Sequence, residues 1–391
     1  MNNIYKLPPI LKERIAHSRS TIEQLGWGLQ RHRLPECWEL ATGKNVNIYI
    51  LDTGGDVNHP ELKNNVKGTY NAVTGNLDVT DVYGHGTHVS GISGADDNKI
   101  GMIGVAPDAN IYLVNIFAGE GANLFDYLAG LDWVKNHQVD GPKVVNLSIG
   151  SPDASYLEEE KLTELYDAGI TVVAAAGNDG DFYADINFPG RYDTTIAAAS
   201  SRGDDNISDF SSKGKGVDLA APGDGIISAV PGGGYQQWSG TSMAAPFVTG
   251  IVGLMLEINP KLTPAEIKDR LTKTATDIYE AGKDINSGFG LINPLVVLQA
   301  LVAEKGTEEP IVEVPEDDDE LEDLLNEEIH IAAAKRRHSS LLSILRCYKC
   351  TIVELGKDIG VNTDIRKLSK LENARLVWHK IRINPVEGDC V

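Results

Sequence analysis

The longest mostly apolar stretch of the chain is Thr241–Ile258, whose residues are small or apolar on every face as far as Leu256, interrupted there only by Thr249, with Glu257 in the last turn. A helix with no polar face belongs in the centre of a domain. Ahead of it, short apolar runs at 46–51, 111–117, 143–149 and 171–176 read as strands. Helical patterns lie between them: a small-residue helix opening at His85-Gly86-Thr87-His88, then 124–136 and 157–168. Apolar strands alternating with helices predict an α/β fold, a doubly wound and mostly parallel sheet with helices on both faces. Ligands of such sheets bind beyond the carboxyl ends of the strands. Asp52 and Asn178 lie at strand ends, and His85 and Ser242 at helix starts, so one sheet edge can hold all four.

Composition adds bounds. The 391 residues are 42% apolar, enough for one large domain and a small one. Neither a signal-peptide-like run at the start nor, outside the 241–258 helix, a membrane-length apolar stretch is present, so no membrane partner is expected. Cys37, Cys347, Cys350 and Cys390 are too few for a disulfide scaffold, which points to a reducing, cytoplasmic setting. The net charge of −21 is uneven: −12 over residues 304–328, +6 over 329–391, and −15 over the first 303. The run Glu316-Asp317-Asp318-Asp319-Glu320 repels itself and reads as a solvated linker.

Ser242 follows a glycine turn in the first turn of the buried helix, where backbone N–H groups lack intrahelical partners. A serine there can attack a carbonyl, and its own N–H can receive the oxyanion. The hydroxyl needs a base, and the base needs an orienting group. His85 and Asp52 can serve, with the Asn178 amide as a second oxyanion donor. Each has a bland alternative: a packed serine, an Asp-Thr-Gly turn, histidines as metal ligands, a Gly-Asn turn.

The strings are not independent. Asp52-Thr53-Gly54, His85-Gly86-Thr87-His88-Val89, Ala175-Ala176-Gly177-Asn178 and Gly240-Thr241-Ser242-Met243-Ala244-Ala245-Pro246 occur in the order Asp, His, Asn, Ser. This set closely resembles the subtilisin-like serine proteases, over residues 25 to about 300. The resemblance implies a serine endopeptidase acting on polypeptides through an acyl-enzyme, with a triad of Asp52, His85 and Ser242 and with Asn178 in the oxyanion hole. It also implies that Gly121-Ala122-Asn123 and Ser148-Ile149-Gly150 pair with substrate backbone by strand addition. Ala174, Ala175 and Ala176 would line the first specificity pocket. Asn187 stands at its floor, where the family often has glycine.

Structural calcium is implied as well. Asp96-Asp97-Asn98-Lys99-Ile100-Gly101-Met102 matches the family's calcium loop, giving Asp96, Asn98, Ile100 and Met102 as ligands, with Glu61 where an Asp is usual. A plain surface loop is the alternative.

The expected organisation is an N-terminal extension at 1–24, a catalytic domain at 25–303, an acidic linker at 304–328 and a small basic, mainly helical domain at 329–391. The extension resembles that of intracellular subtilisins, and its Leu7-Pro8-Pro9 is expected to lie across the active site and resist cutting. An inert arm is the alternative. The last segment resembles a winged helix-turn-helix able to contact nucleic acid, with a protein-docking domain as the other reading. Cys347 and Cys350 have metal-like spacing but only remote partners. The rival function from another class is a catalytically silent fold that binds DNA or a scaffold through its tail.

Overall fold

In the computed structural model, which describes residues 4–7, 11–13, 23–119, 121–183 and 185–307, the apolar runs become the strands of one sheet. The arm contributes β1 (Ile4–Tyr5) and β2 (Leu11–Glu13), followed by short helices α1 (Trp27–Arg31) and α2 (Leu34–Cys37). Next come β3 (Asn47–Asp52), β4 (Val66–Asn71), α3 (His85–Gly94), β5 (Asn110–Asn115), β6 (Ala122–Asn123), α4 (Leu124–Asn136), β7 (Lys143–Leu147), α5 (Tyr156–Asp167) and β8 (Thr171–Ala175). The chain continues through β9 (Thr195–Ser201), β10 (Leu219–Pro222), β11 (Ile226–Val230), β12 (Gly234–Ser239), α6 (Thr241–Ile258), α7 (Pro264–Thr274) and α8 (Pro294–Thr307). The chain divides into compact units Met1–Glu308 and Glu309–Val391, and every described residue belongs to the first. Pro8-Pro9, the acidic run and the basic segment with its cysteine pair lie outside the described residues.

Seven strands form a parallel sheet in the order β10-β9-β8-β7-β3-β5-β4. Alternation along β3 explains why both faces are covered. Ile48 and Ile50 pack with α3 and α6 on one side, while Tyr49 and Leu51 pack with α4 and α5 on the other. A strand buried on both faces is apolar throughout, which is why these strands read as runs in the sequence. The chain runs from β3 to β5 on one flank and then to β7 on the other. The strand order thus reverses about β3, and the crevice at its carboxyl end is where Asp52 sits.

Helix α6 is long and apolar enough to cross a membrane by length and composition, yet 94% of it is buried, so it is the core helix of this unit. Its glycines allow close approach. A Cβ on Gly250 would lie 2.5 Å from the Val105 Cβ and 3.1 Å from the Ser93 carbonyl oxygen, whereas one on Gly253 would meet nothing nearer than 3.5 Å. Gly250→Ala is therefore expected to cost about 1–3 kcal/mol by overpacking. Gly253→Ala should be neutral or stabilise by up to about 1 kcal/mol, because alanine is the better helix former. Urea midpoints of the two variants check both.

Candidate active site

Asp52 ends β3 and His85 opens α3, and their side chains meet in the crevice: Asp52 Oδ1 lies 2.7 Å from His85 Nδ1, both residues buried. The same Asp52 oxygen accepts from the Thr53 N–H at 2.7 Å. Nδ1 thus carries the proton toward Asp52, which leaves Nε2 as the basic nitrogen. Nε2 has no hydrogen-bond partner among the described residues. The other histidine of the motif, His88, stacks on Trp238 with centroids 4.4 Å apart and pairs through Nε2 with the Gln236 carbonyl at 3.0 Å. The two histidines have different hydrogen-bond partners, and among the described residues no group of three or more His, Cys, Asp or Glu gathers to hold a metal.

Ser242 is the second residue of α6, and its carbonyl is set by a proline. Pro246, four residues on, has no N–H to donate back. The Ser242 carbonyl instead accepts from Ser148 Oγ at 3.0 Å. Ser148 Oγ accepts from Asn146 Nδ2 at 2.9 Å, and Thr249 Oγ1 lies 3.0 Å from Asn146 Oδ1. This relay ties the helix start to the end of β7. Ser242 Oγ donates to the Ser148 carbonyl at 3.3 Å. Asn178 is held by Thr241, whose N–H and Oγ1 donate to Asn178 Oδ1 at 2.9 and 2.8 Å. The amide nitrogen therefore faces the Gly240 turn, where a Cβ on Gly240 would lie 3.0 Å from Nδ2. A serine hydroxyl in the first turn of a helix, a base with a held tautomer and an amide beside a helix N-terminus are the parts of an acyl-transfer site.

Sequence reasoning passed over the residues that set this geometry. Asp81 accepts five hydrogen bonds: from Thr53 Oγ1, from the N–H groups of Tyr83, Gly84 and Thr87, and from Thr87 Oγ1. It caps the start of α3 from outside the helix and so holds His85 in place. Thr53 Oγ1 in turn accepts from the Gly86 N–H at 2.9 Å. The only signal in the sequence is an acidic residue four positions before His85, a spacing too common to single out.

The two expected substrate strands flank the arm. Ile4 pairs with Asn123 and Tyr5 with Ala122, antiparallel. On the other side Lys6 and Gly150 exchange both backbone hydrogen bonds at 3.1 Å. Gly121 leaves room for this strand, since a Cβ there would lie 2.8 Å from Ile4 Cγ2. Ile149 is buried beside Tyr5. Further along the arm, β2 pairs antiparallel with β12. Ala175 and Ala176 are buried, and Asn187 donates its N–H to the Ala176 carbonyl at 2.9 Å. The Asn187 side chain lies between Gly150 and Gly177, where a Cβ would come within 3.2 and 2.6 Å of it, and donates to Asp179 at 2.8 Å. It narrows the space between those two segments and gives it a polar wall.

Four of the expected calcium residues lie in the 96–102 loop, and the fifth, Glu61, on the segment between β3 and β4, is tied to that loop by hydrogen bonds, among them the Asp96 N–H to the Glu61 carbonyl at 2.9 Å. Glu61 is buried without a cationic partner among the described residues. Its carboxylate accepts from Tyr235 Oη, from Asn98 Nδ2 at 2.9 Å and from the Met102 N–H at 3.3 Å. Burial pushes the Glu61 carboxyl up, and these bonds only partly counter it. Asn98 Oδ1 accepts from the Ile100 N–H, and the Asp96 carboxylate from Asn64 Nδ2. The donor set is oxygen-rich around one uncompensated buried carboxylate. It fits a hard cation once the Asn98 amide turns over to present its oxygen, a change that alters no volume.

Comparison with known proteins agrees with this geometry. A family model described as Peptidase_S8, subtilase family, matches residues 43–291. Subtilisin BL of Lederbergia lenta is 37% identical over 273 residues, 69% of this chain and 97% of that protein. Alkaline elastase YaB of Bacillus sp. (strain YaB) is 36% identical over 276 residues, 70% of each chain. Subtilisin E of Bacillus subtilis (strain 168) is 35% identical over 287 residues, 72% of this chain and 73% of that one.

Asp81 offers a structural test. Asp81→Ala removes five acceptor contacts from a buried site and is expected to cost about 2–4 kcal/mol, and Asp81→Asn, which keeps one acceptor oxygen, should cost less. Urea denaturation of the two variants measures the difference.

Proposed function

The chain belongs to the subtilase family of serine peptidases, and from that premise we propose that it is an endopeptidase working through Ser242, His85 and Asp52 and restrained by its own N-terminal arm. The observation that carries the catalytic reading is the Asp52–His85 pair at 2.7 Å, with Nε2 left for the nucleophile. A substrate carbonyl beside Ser242 is attacked by Oγ while His85 Nε2 takes the proton. Asp52, bonded to Nδ1, holds the tautomer and stabilises the imidazolium that forms. The oxyanion receives the Ser242 N–H and the Asn178 amide, donors already oriented before reaction. His85 then returns its proton to the leaving amine, giving the acyl-enzyme, and the same cycle with water releases the acid. The hydrogen bond of Ser242 Oγ to the Ser148 carbonyl fits a resting rotamer, since such contacts often tighten only when substrate binds.

The latch reading rests on the pairing of Ile4, Tyr5 and Lys6 between residues 121–123 and residue 150, which fills the strand position a substrate would add. The tether raises the arm's local concentration to the millimolar range, so weak pairing suffices. Polypeptides are the substrates on this reading. The cytoplasmic setting is part of the proposal and is supported by the low cysteine count, with Cys37 buried and free among the described residues.

Removing residues 1–22 keeps Glu23 and Gln24, whose N–H groups bond the loop carbonyls of Lys99 and Gly101. This deletion is expected to raise cleavage of a short chromogenic peptide at least tenfold and to speed labelling of Ser242 by a fluorophosphonate. Absence of label at Ser242 would refute the peptidase mechanism. An unchanged rate would refute the latch.

Calcium is proposed as a structural ligand of the Glu61, Asp96, Asn98, Ile100 and Met102 loop, supplying the positive charge that the buried Glu61 lacks. Millimolar calcium should then raise the melting temperature and chelator lower it, by mass action on the native state, and Glu61→Gln should erase the difference. Identical melting curves with and without chelator would remove calcium from the account.

A further inference from the structure

Building on the peptidase reading, the hydrogen bonds of Ser148 show how the nucleophile is readied. Ser242 must hand its hydroxyl proton to His85 Nε2 for Oγ to attack. Here that proton points elsewhere, because Ser242 Oγ donates to the Ser148 carbonyl at 3.3 Å. His85 Nε2 is meanwhile a buried nitrogen with no hydrogen-bond partner among the described residues. A hydroxyl has one proton to give, so it serves the carbonyl or the base, not both.

The rest of Ser242 is held still. Its carbonyl accepts from Ser148 Oγ at 3.0 Å, and Asn146 Nδ2 fixes that hydroxyl by donating to it at 2.9 Å. Redirecting the Ser242 proton therefore takes a change of side-chain rotamer and no movement of the backbone. Ser148 grips the nucleophile at two points, its side chain on the backbone and its own carbonyl on the hydroxyl. Only the second grip uses a group that a peptide can claim.

That claim follows from register. Lys6 and Gly150 exchange both backbone hydrogen bonds at 3.1 Å, as an antiparallel pair. Such pairs recur at every second residue, so a strand continuing this ladder exchanges its next pair with Ser148. Its N–H then arrives at the carbonyl that holds Ser242 Oγ. The two donors are not equivalent. The N–H has no other acceptor in the ladder, whereas the hydroxyl has His85 Nε2 unpaired. Giving the carbonyl to the N–H and the base to the hydroxyl satisfies all four groups, and no other assignment does. We propose that Ser148 is a positioning residue that couples strand pairing to readiness of the nucleophile. A backbone N–H at its carbonyl turns the Ser242 hydroxyl to His85, so the serine is armed by the chain it will cut. The substrates it serves are chains with a secondary amide at the residue facing Ser148.

The test uses the full-length chain and two peptides that end opposite Ser148, one closed by a methylamide and the other by a dimethylamide. Both carry the residues that pair beside Gly150, and only the first presents an N–H to Ser148. Each is titrated to saturation by fluorescence anisotropy, and the rate of Ser242 labelling by a small fluorophosphonate is measured. Labelling should be about 3 to 10 times faster with the methylamide, the weight of one ordinary hydrogen bond. A role of Ser148 in binding alone would move the affinities and leave the rates at saturation equal, and equal rates overturn the coupling. Absence of label in every arm sinks the peptidase reading and the coupling with it, so the two failures are told apart.

Chromogenic peptides give a second reading. Replacing alanine by lactic acid, which exchanges N–H for an ester oxygen, should lower kcat about 3 to 10-fold at the residue facing Ser148. The same exchange two residues earlier, opposite Gly150, should raise KM and leave kcat unchanged. The latch multiplies every KM alike, so it cancels from these comparisons. A loss confined to KM at both positions overturns the proposal.

Discussion

A buried helix with a polar start is the constraint on which the site depends. Helix α6 is surrounded by the core, so every polar atom on it must find a partner within reach. Thr241 finds Asn178, Thr249 finds Asn146, and the carbonyl freed by Pro246 finds Ser148. Each partner lies at or just beyond the carboxyl end of β7 or β8. The bonds that satisfy the helix are therefore the same bonds that hold Ser242 and the Asn178 amide at the sheet edge. Moving α6 by one residue would strand all three partners at once. Tight packing at Gly250 resists that slip.

The second constraint is backbone pairing. Residues 121–123 and 150 present unpaired ladder positions with a gap between them, and a strand in the gap satisfies both sides. Such recognition is carried by main-chain groups and is indifferent to sequence. Selectivity has to come from side chains alternating off that strand, and so from what the body places beneath them. One such place is chemically distinctive: Asn187, beside Gly150 and Gly177, sets a polar group where an apolar surface would bind more kinds of side chain.

Much of this was legible in the sequence, and the limits were physical. Strands buried on both faces announce themselves as apolar runs, so β3, β5, β7 and β8 were read within a residue or two, as were α4 and α6. Strand β9 is rich in alanine and serine, and β4 is half-buried at the sheet edge, so neither makes a run. The hairpin of β11 and β12 turns at Gly232 and Gly233, both at positive φ, but its strands alternate too weakly to stand out. Asp52, His85, Asn178 and Ser242, the residues proposed for the chemistry, stand out in the sequence because their motifs are contiguous strings. Asp81 and Asn146 do not, because each acts through partners on another element, and only folding brings those together. Tyr5 is the sharpest case: in the sequence it is one aromatic in a polar arm, and only folding pairs it with Ala122 and sets its ring against that of Tyr127.

A restraint that copies a substrate meets a problem of discrimination. On the proposed reading, arm and substrate share the ladder at Ala122 and Gly150 and the space that Tyr5 fills. Strengthening any of these holds both equally, so none can decide between inhibition and turnover. Two things can. The tether favours the arm, because a free peptide of equal intrinsic affinity must approach millimolar concentration to displace it. The residues after Leu7 then decide its fate. Two successive prolines supply no N–H to a ladder and fix φ, which disfavours the geometry attack requires. Affinity for the arm therefore sits in the part that resembles a substrate, and its resistance to cutting in the part that does not.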